Sequence, residues 1–539
     1  MQRDLNADME TLRKVLDLAQ NRQFEQAAQL AEQTLAGGFE HPLLLNVAAT
    51  RLEQQGRFGD SLKLLQRAVQ IAPGDVPARN ALALCLQRLD RPAEALVHVD
   101  ELLRHHPELP FAHASRGNAL IAMGALARGR DSHLKAVELE PGNLAAIASL
   151  ASIATHRGAH PEARRWAERA LALAPGYPDA VLSLAAAEFA EGNLTGAEQR
   201  LTALIMDARA GATDRARATG LLGDVLDAQG RYPEAFEAYT TCNQALRAIQ
   251  PPFAGTGATD YARALCVAID RLEPAVRPRA MPPPPASARR HVFLLGFPRT
   301  GTTLLAVVLD GHPDVTSTEE LELLSEGVLR YLQEPLDLRP LAQASEADLD
   351  PLRAAYWRRV AAAGVDVSAR VFVDKHPLNS LKLPLIERLF PDAKILFAVR
   401  DPRDVVFSCF RRRFKLNPAM YEFLTLQGAA AFYALVMGFA HDCQRRLGLE
   451  WRTVRYERLV QDFEHEMAAV CAHIGLEWQR SMADFGHRVQ SRELATPSTA
   501  QLSRGLVDSG IGQWRHYAAQ LAPILPALEA WVARYGTEA

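Results

Sequence analysis

The first half of the chain alternates between amphipathic stretches and short turn signals. In residues 61–69, apolar side chains recur at the spacing of a helix with one buried face. Prolines, which end helices, follow at intervals of 34 residues, at Pro73, Pro107, Pro141 and Pro175. Because a single helix pair cannot bury its apolar face alone, this period predicts an all-α stack in which neighbouring repeats complete the core.

Two other residue classes keep the same period. Turn glycines stand at Gly56, Gly124, Gly158 and Gly192. Small residues, which let two helices approach closely, stand at Ala27, Ser61, Ala95, Gly129, Ala163 and Ala197. The pattern resembles the tetratricopeptide repeat over residues 8–245, in about seven units. The resemblance implies a right-handed superhelix whose concave groove binds peptides or partner proteins; the alternative is an array that only packs or dimerises.

Residues 249–289 break this period. They contain Pro251-Pro252 and four consecutive prolines at 282–285, which favour a stiff, extended spacer, and we expect a helix over residues 261–272 between them. We therefore divide the chain into a repeat array (1–248), a proline-rich linker with a short helix (249–289) and a second domain (290–539).

The second domain opens with a pattern that is typical of anion-binding loops. Residues 291–296 predict a buried strand, and residues 304–309 predict a helix. A loop at a helix N-terminus suits a phosphate, because the backbone N–H groups are unpaired there and the helix dipole favours anions. Gly296 and Gly301 have the spacing of the nucleotide P-loop, but Thr302 replaces its lysine. This disfavours a phosphotransferase that uses ATP and magnesium.

A second motif follows at residues 393–408. It predicts a strand that ends in Arg400, a turn, and a helix that begins near Asp404. Arg400 and Ser408, eight residues apart, can converge on one anion, since arginine gives bidentate contacts and serine adds a donor.

Together, the two motifs resemble the 5′-phosphosulfate loop and the 3′-phosphate motif of sulfotransferases, in particular of the protein-tyrosine sulfotransferases, over residues 290–535. The resemblance implies an α/β, P-loop-like domain with a parallel five-stranded sheet. It also implies the sulfonate donor PAPS (3′-phosphoadenosine 5′-phosphosulfate), the product PAP, and no metal. The donor-binding residues that it implies are Pro298, Arg299, Thr300, Gly301, Thr302, Thr303, Arg400, Ser408 and Tyr456.

The same resemblance supplies candidate catalytic residues. Glu320 stands where the tyrosine enzymes carry their base, and Lys375 stands where a lysine stabilises the bridging oxygen of the leaving group. Arg299 would neutralise the transferred group, and Ser498 resembles a serine that contacts the leaving phosphate. His376 is the rival base, because small-molecule sulfotransferases use a histidine near their lysine. Sulfonate transfer needs such a base to remove the acceptor proton.

The sequence narrows the chemical class of the acceptor but does not identify it. The tyrosine enzymes carry an arginine two residues after the base, whereas this chain has Glu322 there and another carboxylate at Glu326. The reversed charge argues against an acidic tyrosine peptide and leaves a basic or neutral peptide, a sugar, or a small phenol or alcohol. The basic residues 411–415 would either contact an acidic acceptor or form a solvated face.

Composition adds exclusions. A net charge of −3 gives no reason to expect nucleic acid. The six cysteines lack zinc or disulfide spacing, the first residues are polar, and no stretch of about 20 apolar residues occurs. We therefore expect a cytoplasmic, bacterial enzyme without a membrane span, with an acceptor or carrier protein in the repeat groove and with a homodimer as an option. The alternative function is a tetratricopeptide scaffold with a non-catalytic nucleotide-binding domain.

Overall fold

The computed structural model describes residues 5–272, 288–485, 508 and 510–536. The chain divides into two compact units, residues 1–187 and 188–539. The predicted helical repeats and the predicted parallel sheet are both confirmed. Our division of the chain by sequence period, at residues 248 and 289, stays a prediction. No described helix combines the length and the apolarity that a membrane span requires.

The first unit consists of paired helices within its described residues. Their bounds are α1 (Leu5–Gln20), α2 (Phe24–Ala36), α3 (Pro42–Gln54), α4 (Phe58–Ile71), α5 (Val76–Arg88), α6 (Pro92–His105), α7 (Pro110–Ala122), α8 (Leu126–Leu139), α9 (Leu144–His156), α10 (His160–Leu173) and α11 (Pro178–Ala190), the last of which crosses into the second unit. The turn glycines adopt positive φ, as at Gly124 (81°), where only glycine is unstrained. Asp90 takes the same conformation with φ 57°.

Small residues let the helices of the first unit approach each other. Ala27, Ala95 and Ala163 are fully buried. The helices α7 and α8 lie close together at Gly117, where a Cβ atom would lie 2.6 Å from Nε2 of the buried His133. The periodic small residues therefore mark helix–helix contacts, as their spacing predicted.

The second unit begins with four helices: α12 (Leu194–Met206), α13 (Ala212–Ala228), α14 (Tyr232–Ile249) and α15 (Ala258–Asp270). The pair α13 and α14 continues the repeat pattern, yet it belongs to the same compact unit as the sheet. Helix α15 corresponds to the helix expected over residues 261–272, and it packs against the long helix Leu426–Arg446.

Five parallel strands form the sheet of the second unit. They are β1 (Arg290–Gly296), β2 (Val315–Glu319), β3 (Val371–Lys375), β4 (Lys394–Val399) and β5 (Glu450–Arg455), in the spatial order β2-β3-β1-β4-β5. Alternate residues of β1 face opposite sides, so that Val292 and Leu294 join one buried cluster while Phe293 and Leu295 join the other. Because the strands are parallel, their carboxyl ends lie at one edge, where ligands bind in open α/β sheets.

Helices cover both faces of the sheet. The described α-helices are α16 (Thr302–Leu309), α17 (Ser325–Tyr331), α18 (Arg339–Ala342), α19 (Glu346–Ala362), α20 (Leu383–Leu389), α21 (Pro402–Arg411), α22 (Pro418–Glu422), α23 (Leu426–Arg446), α24 (Tyr456–Gln461), α25 (Phe463–Ile474), α26 (Ala518–Leu521) and α27 (Leu525–Tyr535). Short 3-10 helices span Pro377–Lys382, Arg480–Asp484, Gln513–Tyr517 and Ala522–Ile524.

Candidate active site

The loop from β1 to α16 is shaped by a glycine that no other residue could replace without strain. Gly301 has φ 98° and caps the N-terminus of α16. A Cβ atom at Gly301 would lie 2.6 Å from Cδ2 of Tyr456, which follows β5. Arg299 also has positive φ, at 71°. The tight turn directs the first N–H groups of α16 towards the carboxyl edge of the sheet, and these groups have no partner within the helix.

The loop side chains play different parts. Thr300 donates its hydroxyl to the Phe297 carbonyl at 2.7 Å and so stabilises the turn itself. Arg299 donates Nε to Oγ of Ser408 at 3.0 Å. Burial, followed by the positive charges of Arg412 and Arg400, lowers the pKa of Arg299 to about 9. A partly buried guanidinium beside other cations indicates a site that favours an anion.

The second motif lies directly against this loop. Arg400, at the end of β4, donates Nη1 to the Arg299 carbonyl at 3.3 Å and Nη2 to the Gly510 carbonyl. Its guanidinium lies 4.9 Å from the centre of the Tyr456 ring. Ser408 lies on α21, and its hydroxyl accepts the hydrogen bond from Arg299. The fold therefore brings Arg299, Arg400, Ser408 and Tyr456 together.

Residues 510–517, near the end of the described chain, pack against the start of α21. The Asp404 carboxylate accepts hydrogen bonds from the backbone N–H groups of Gly512 (2.7 Å) and Trp514 (2.9 Å). The Arg403 guanidinium lies 3.7 Å from the centre of the Trp514 ring. Burial raises the pKa of Asp404, and the Arg400 charge opposes the shift. This segment fixes the direction of Arg400 through the Gly510 carbonyl.

The candidate catalytic residues meet at the ends of β2 and β3. Glu319 and Lys375 are paired in register. The fully buried Nζ of Lys375 lies 3.0 Å from Oε2 of Glu319 and 2.8 Å from Oε1 of Glu320. Burial opposes the charge of Lys375, but the Glu319 and Glu320 carboxylates outweigh it and raise the pKa of Lys375. Burial raises the pKa of Glu319, against the effect of Lys375.

Glu320 itself adopts φ 49° and donates its backbone N–H to the Lys375 carbonyl at 2.8 Å. Its side chain is 47% exposed, so its carboxylate reaches solvent while it contacts Lys375. A carboxylate that is both exposed and held next to a buried lysine can accept a proton from an incoming group.

His376 has a different environment. Its Nε2 lies 3.2 Å from Oε1 of Glu322, and Nζ of Lys382 lies 2.7 Å from Oε2 of the same carboxylate. The hydrogen bond from His376 and the charge of Lys382 lower the pKa of Glu322 to about 2. Glu326, the other reversed charge, accepts a bidentate contact from Arg359. Each of these two carboxylates is therefore paired with a cation of its own unit.

Two of the basic residues 411–415 form ion pairs within the second unit, an arrangement that neither sequence interpretation included. Arg411 is buried and lies 3.3 Å from Asp227, and Arg413 lies 2.7 Å from Asp224; both aspartates belong to α13. Both arginines are therefore held in ion pairs within the second unit. The charge of Arg412, between them, lowers the pKa of Arg299. Sequence analysis considered these basic residues only as a group and did not single out Arg412.

Two further points complete the site. The predicted residue Ser498 lies outside the described residues. Among the described residues, no cluster of histidine, cysteine, aspartate or glutamate side chains could hold a metal ion, and all six cysteines are free thiols.

Comparison with known proteins agrees with both parts of the chain. Residues 291–480 match the sequence model of the sulfotransferase family, and residues 52–122 match that of the tetratricopeptide repeat. Protein-tyrosine sulfotransferase 2 of Gallus gallus is 26% identical over 211 residues, which cover 35% of this chain and 51% of that protein. Nodulation protein NoeE of Sinorhizobium fredii is 29% identical over 218 residues, which cover 34% of this chain and 50% of that protein.

The crystal structure of a tetratricopeptide repeat protein from Parabacteroides merdae aligns with 18% identity and a TM-score of 0.36, and covers 44% of this chain and 92% of that one. The first curated relatives are matched over only part of their length, from 32% to 67%.

Proposed function

We propose that this chain, which combines a sulfotransferase-family domain with tetratricopeptide repeats, transfers a sulfonate group from PAPS to a hydroxyl acceptor. The observation that carries the proposal is the 3.0 Å hydrogen bond between Arg299 Nε and Ser408 Oγ. The 5′-phosphosulfate and the 3′-phosphate of PAPS are attached to one ribose. A single donor can therefore engage both motifs only where they are neighbours, as they are here.

In this proposal the β1–α16 loop holds the 5′ end of the donor. The backbone N–H groups of Gly301, Thr302 and Thr303 and the two threonine hydroxyls donate to the phosphosulfate, and the helix dipole favours its charge. Arg400, Ser408 and Arg412 bind the 3′-phosphate as bidentate or charged donors. The Tyr456 ring lies against Gly301 and Arg400, so it limits the space for the nucleotide.

The transfer step then uses the residues at the ends of β2 and β3. The Glu320 carboxylate accepts the proton of the acceptor hydroxyl, and the hydroxyl oxygen of the acceptor attacks sulfur in line. The bond from sulfur to the bridging oxygen breaks, and that electron pair leaves with PAP. Lys375 stabilises the negative charge that develops on this oxygen, and Arg299 and Ser498 assist at the leaving phosphate. His376 is the less favoured base, because its Nε2 contacts Glu322.

The class of acceptor follows from the charges beside Glu320. Glu322 and Glu326 are paired with Lys382 and Arg359, so these two cations are already engaged by carboxylates of the chain rather than by an acidic peptide. We therefore favour a neutral or basic peptide tyrosine, a sugar or a small alcohol as acceptor, with the repeats binding the acceptor, its carrier or a partner protein. A cytoplasmic location and a homodimer stay predictions.

The test is transfer of labelled sulfonate from PAPS to a panel of peptides, sugars and phenols by the full chain. Glu320→Gln should lower the rate by about 10²- to 10⁴-fold, the usual contribution of a general base. His376→Asn, the matched variant of the rival base, should lower it less than about tenfold. The reverse ranking would make His376 the base, and a wild-type chain that binds neither PAPS nor PAP would contradict the proposal.

A further inference from the structure

Helix α21 carries Ser408 and ends at Arg411, and two aspartates of α13 hold its last residue and the chain that follows. Arg411 Nη1 lies 3.3 Å from Oδ2 of Asp227, and Arg413 Nη2 lies 2.7 Å from Oδ2 of Asp224. Asp224 and Asp227 are three residues apart on α13, so they lie on one face of that helix. They therefore bind the two arginines that flank Arg412.

The sequence of α13 is adapted to this contact. A Cβ atom at Gly220 would lie 2.6 Å from Cδ of Arg413, and one at Gly223 would lie 2.5 Å from Cε1 of Tyr239. Glycine inside a helix costs about 1 kcal/mol relative to alanine. Two glycines three residues apart indicate that the space they leave is needed, in one case by the side chain of Arg413.

Other hydrogen bonds join the same helices. Asn243 of α14 donates Nδ2 to the carbonyl of Phe410 at 2.9 Å, and Tyr239 donates its hydroxyl to Asp224 at 3.2 Å. Tyr517, in the segment that covers α21, donates its hydroxyl to Asp227. Asp227 therefore contacts both Arg411 and the segment that fixes Arg400.

Arg412 lies between the two held arginines. Its Nε is buried and makes no hydrogen bond within the part of the chain that the structure describes. Its charge acts on Arg299, where it is the first of the neighbouring cations that depress the pKa. Guanidinium groups that converge in this way repel one another, and they stay together only where carboxylates or a bound anion compensate for the repulsion.

We propose that Asp224 and Asp227 are positioning residues for donor binding, because by pairing with Arg413 and Arg411 they hold Arg412 and Ser408 at the anion site. The last repeat-type helix pair would then be part of the donor site rather than only a partner-binding surface. This inference rests on the proposed function.

The experiment measures the Kd for PAP, by titration calorimetry, and the steady-state constants for PAPS with the full chain. Asp224→Asn and Asp227→Asn should each raise the Kd for PAP about tenfold, and should raise the KM for PAPS in parallel while kcat changes less than about twofold. Asp270→Asn is the matched control, because it removes another Asp–Arg pair of the same unit, with Arg446 at 2.7 Å. Its Kd should equal that of the wild type.

Two more variants separate positioning from mere stability. Asp224→Glu, which keeps the charge, should restore most of the affinity. Because both act through one ion pair, the double variant Asp224→Asn/Arg413→Gln should bind PAP no more weakly than the weaker single variant. Aspartate variants with a lower unfolding midpoint and an unchanged Kd would overturn the inference.

If Asp224→Asn does not fold, Asp227→Asn decides alone, since it leaves the Arg413 pair intact. A wild type that fails to bind PAP contradicts the proposed function itself. A wild type that binds, with variants that bind equally well, contradicts only the role of the aspartates.

Discussion

The two units bury different kinds of side chain. In the first unit, the buried positions of the described residues are filled mainly by alanine and leucine, and His133 is the one buried histidine, acid or base. In the second unit, many buried charges stand along the carboxyl edge of the sheet and on α21: Asp374, Lys375, Arg400, Asp401, Arg403, Asp404 and Arg411. The two units have equally regular secondary structure, so the difference lies in chemistry.

Buried charge is costly, because removing an ion from water costs several kcal/mol unless a partner compensates for it. The second unit accepts this cost at the carboxyl edge of the sheet and also elsewhere, as at Arg353 and Glu387. At the edge, partners hold the charges, as Glu319 and Glu320 hold Lys375. The first unit avoids this cost. The contrast shows that, among the described residues, buried charge is a feature of the second unit, which also contains the candidate active site.

The largest effect should come from Lys375→Ala. In the proposed mechanism the variant removes the cation that stabilises the leaving oxygen, and loss of one such group costs about 10²- to 10³-fold in kcat. It also leaves the Glu319 carboxylate, which is 33% exposed, without its partner, so the free energy of unfolding should fall by about 1–3 kcal/mol. Rates of sulfonate transfer and urea unfolding curves would measure the two effects.

Lys394→Ala is the control for that prediction. Lys394 also pairs with a glutamate, Glu450, but it is the first residue of β4 and so stands at the opposite edge of the sheet. Its loss should change kcat less than about twofold, since its partner is exposed to solvent. Equal losses in the two variants would mean that Lys375 acts through stability alone.

A smaller effect is expected from alanine at two glycines with the same backbone conformation. Gly124, in the first unit, has φ 81° and no atom within 4 Å of an added Cβ, so Gly124→Ala should cost only the strain of a left-handed residue, about 1–2 kcal/mol. Gly301→Ala adds a clash with the Tyr456 ring. It should therefore also weaken PAP binding by at least about tenfold.

Unfolding midpoints and the Kd for PAP would compare the two variants. Asp90, with φ 57° in a turn of the first unit, already indicates that such a turn accepts a side chain. If Gly301→Ala bound PAP as tightly as the wild type, the β1–α16 loop would not be the donor loop.

Much of the architecture could be predicted from local patterns. The 34-residue period and the strand–loop–helix pattern of residues 291–309 depend on neighbours in sequence, which is why the repeats and the β1–α16 loop were foreseen. The Arg299–Ser408 contact followed only indirectly, from the resemblance of two motifs 109 residues apart. In a parallel sheet, strand order and register are tertiary properties that no single segment encodes.

The contacts that sequence analysis missed are all long-range. Arg413 meets Asp224 across 189 residues, and neither residue stands in a motif. The clash that requires glycine at position 301 comes from Tyr456, which a different strand delivers. The glycines Gly220 and Gly223 were a usable signal, because two glycines in one helical turn favour a close approach by another element.

The smallest effect at neutral pH, and the sharpest test of the first unit, concerns His133. Neither ring nitrogen has a hydrogen-bond partner within the described part of the chain, and burial lowers the pKa of His133 to about 4. The unfolded chain takes up this proton near pH 6.5 but the folded chain only near pH 4, so stability should fall as the pH decreases between these values, by about 3 kcal/mol in all. His133→Leu introduces the residue that stands two 34-residue periods away on each side, at Leu65 and Leu201. It should remove that part of the pH dependence and leave the Kd for PAP at pH 7.5 unchanged. Urea unfolding of both proteins at pH 7.5 and 5.0 measures the difference; equal pH dependence would show that His133 is solvated or paired in solution.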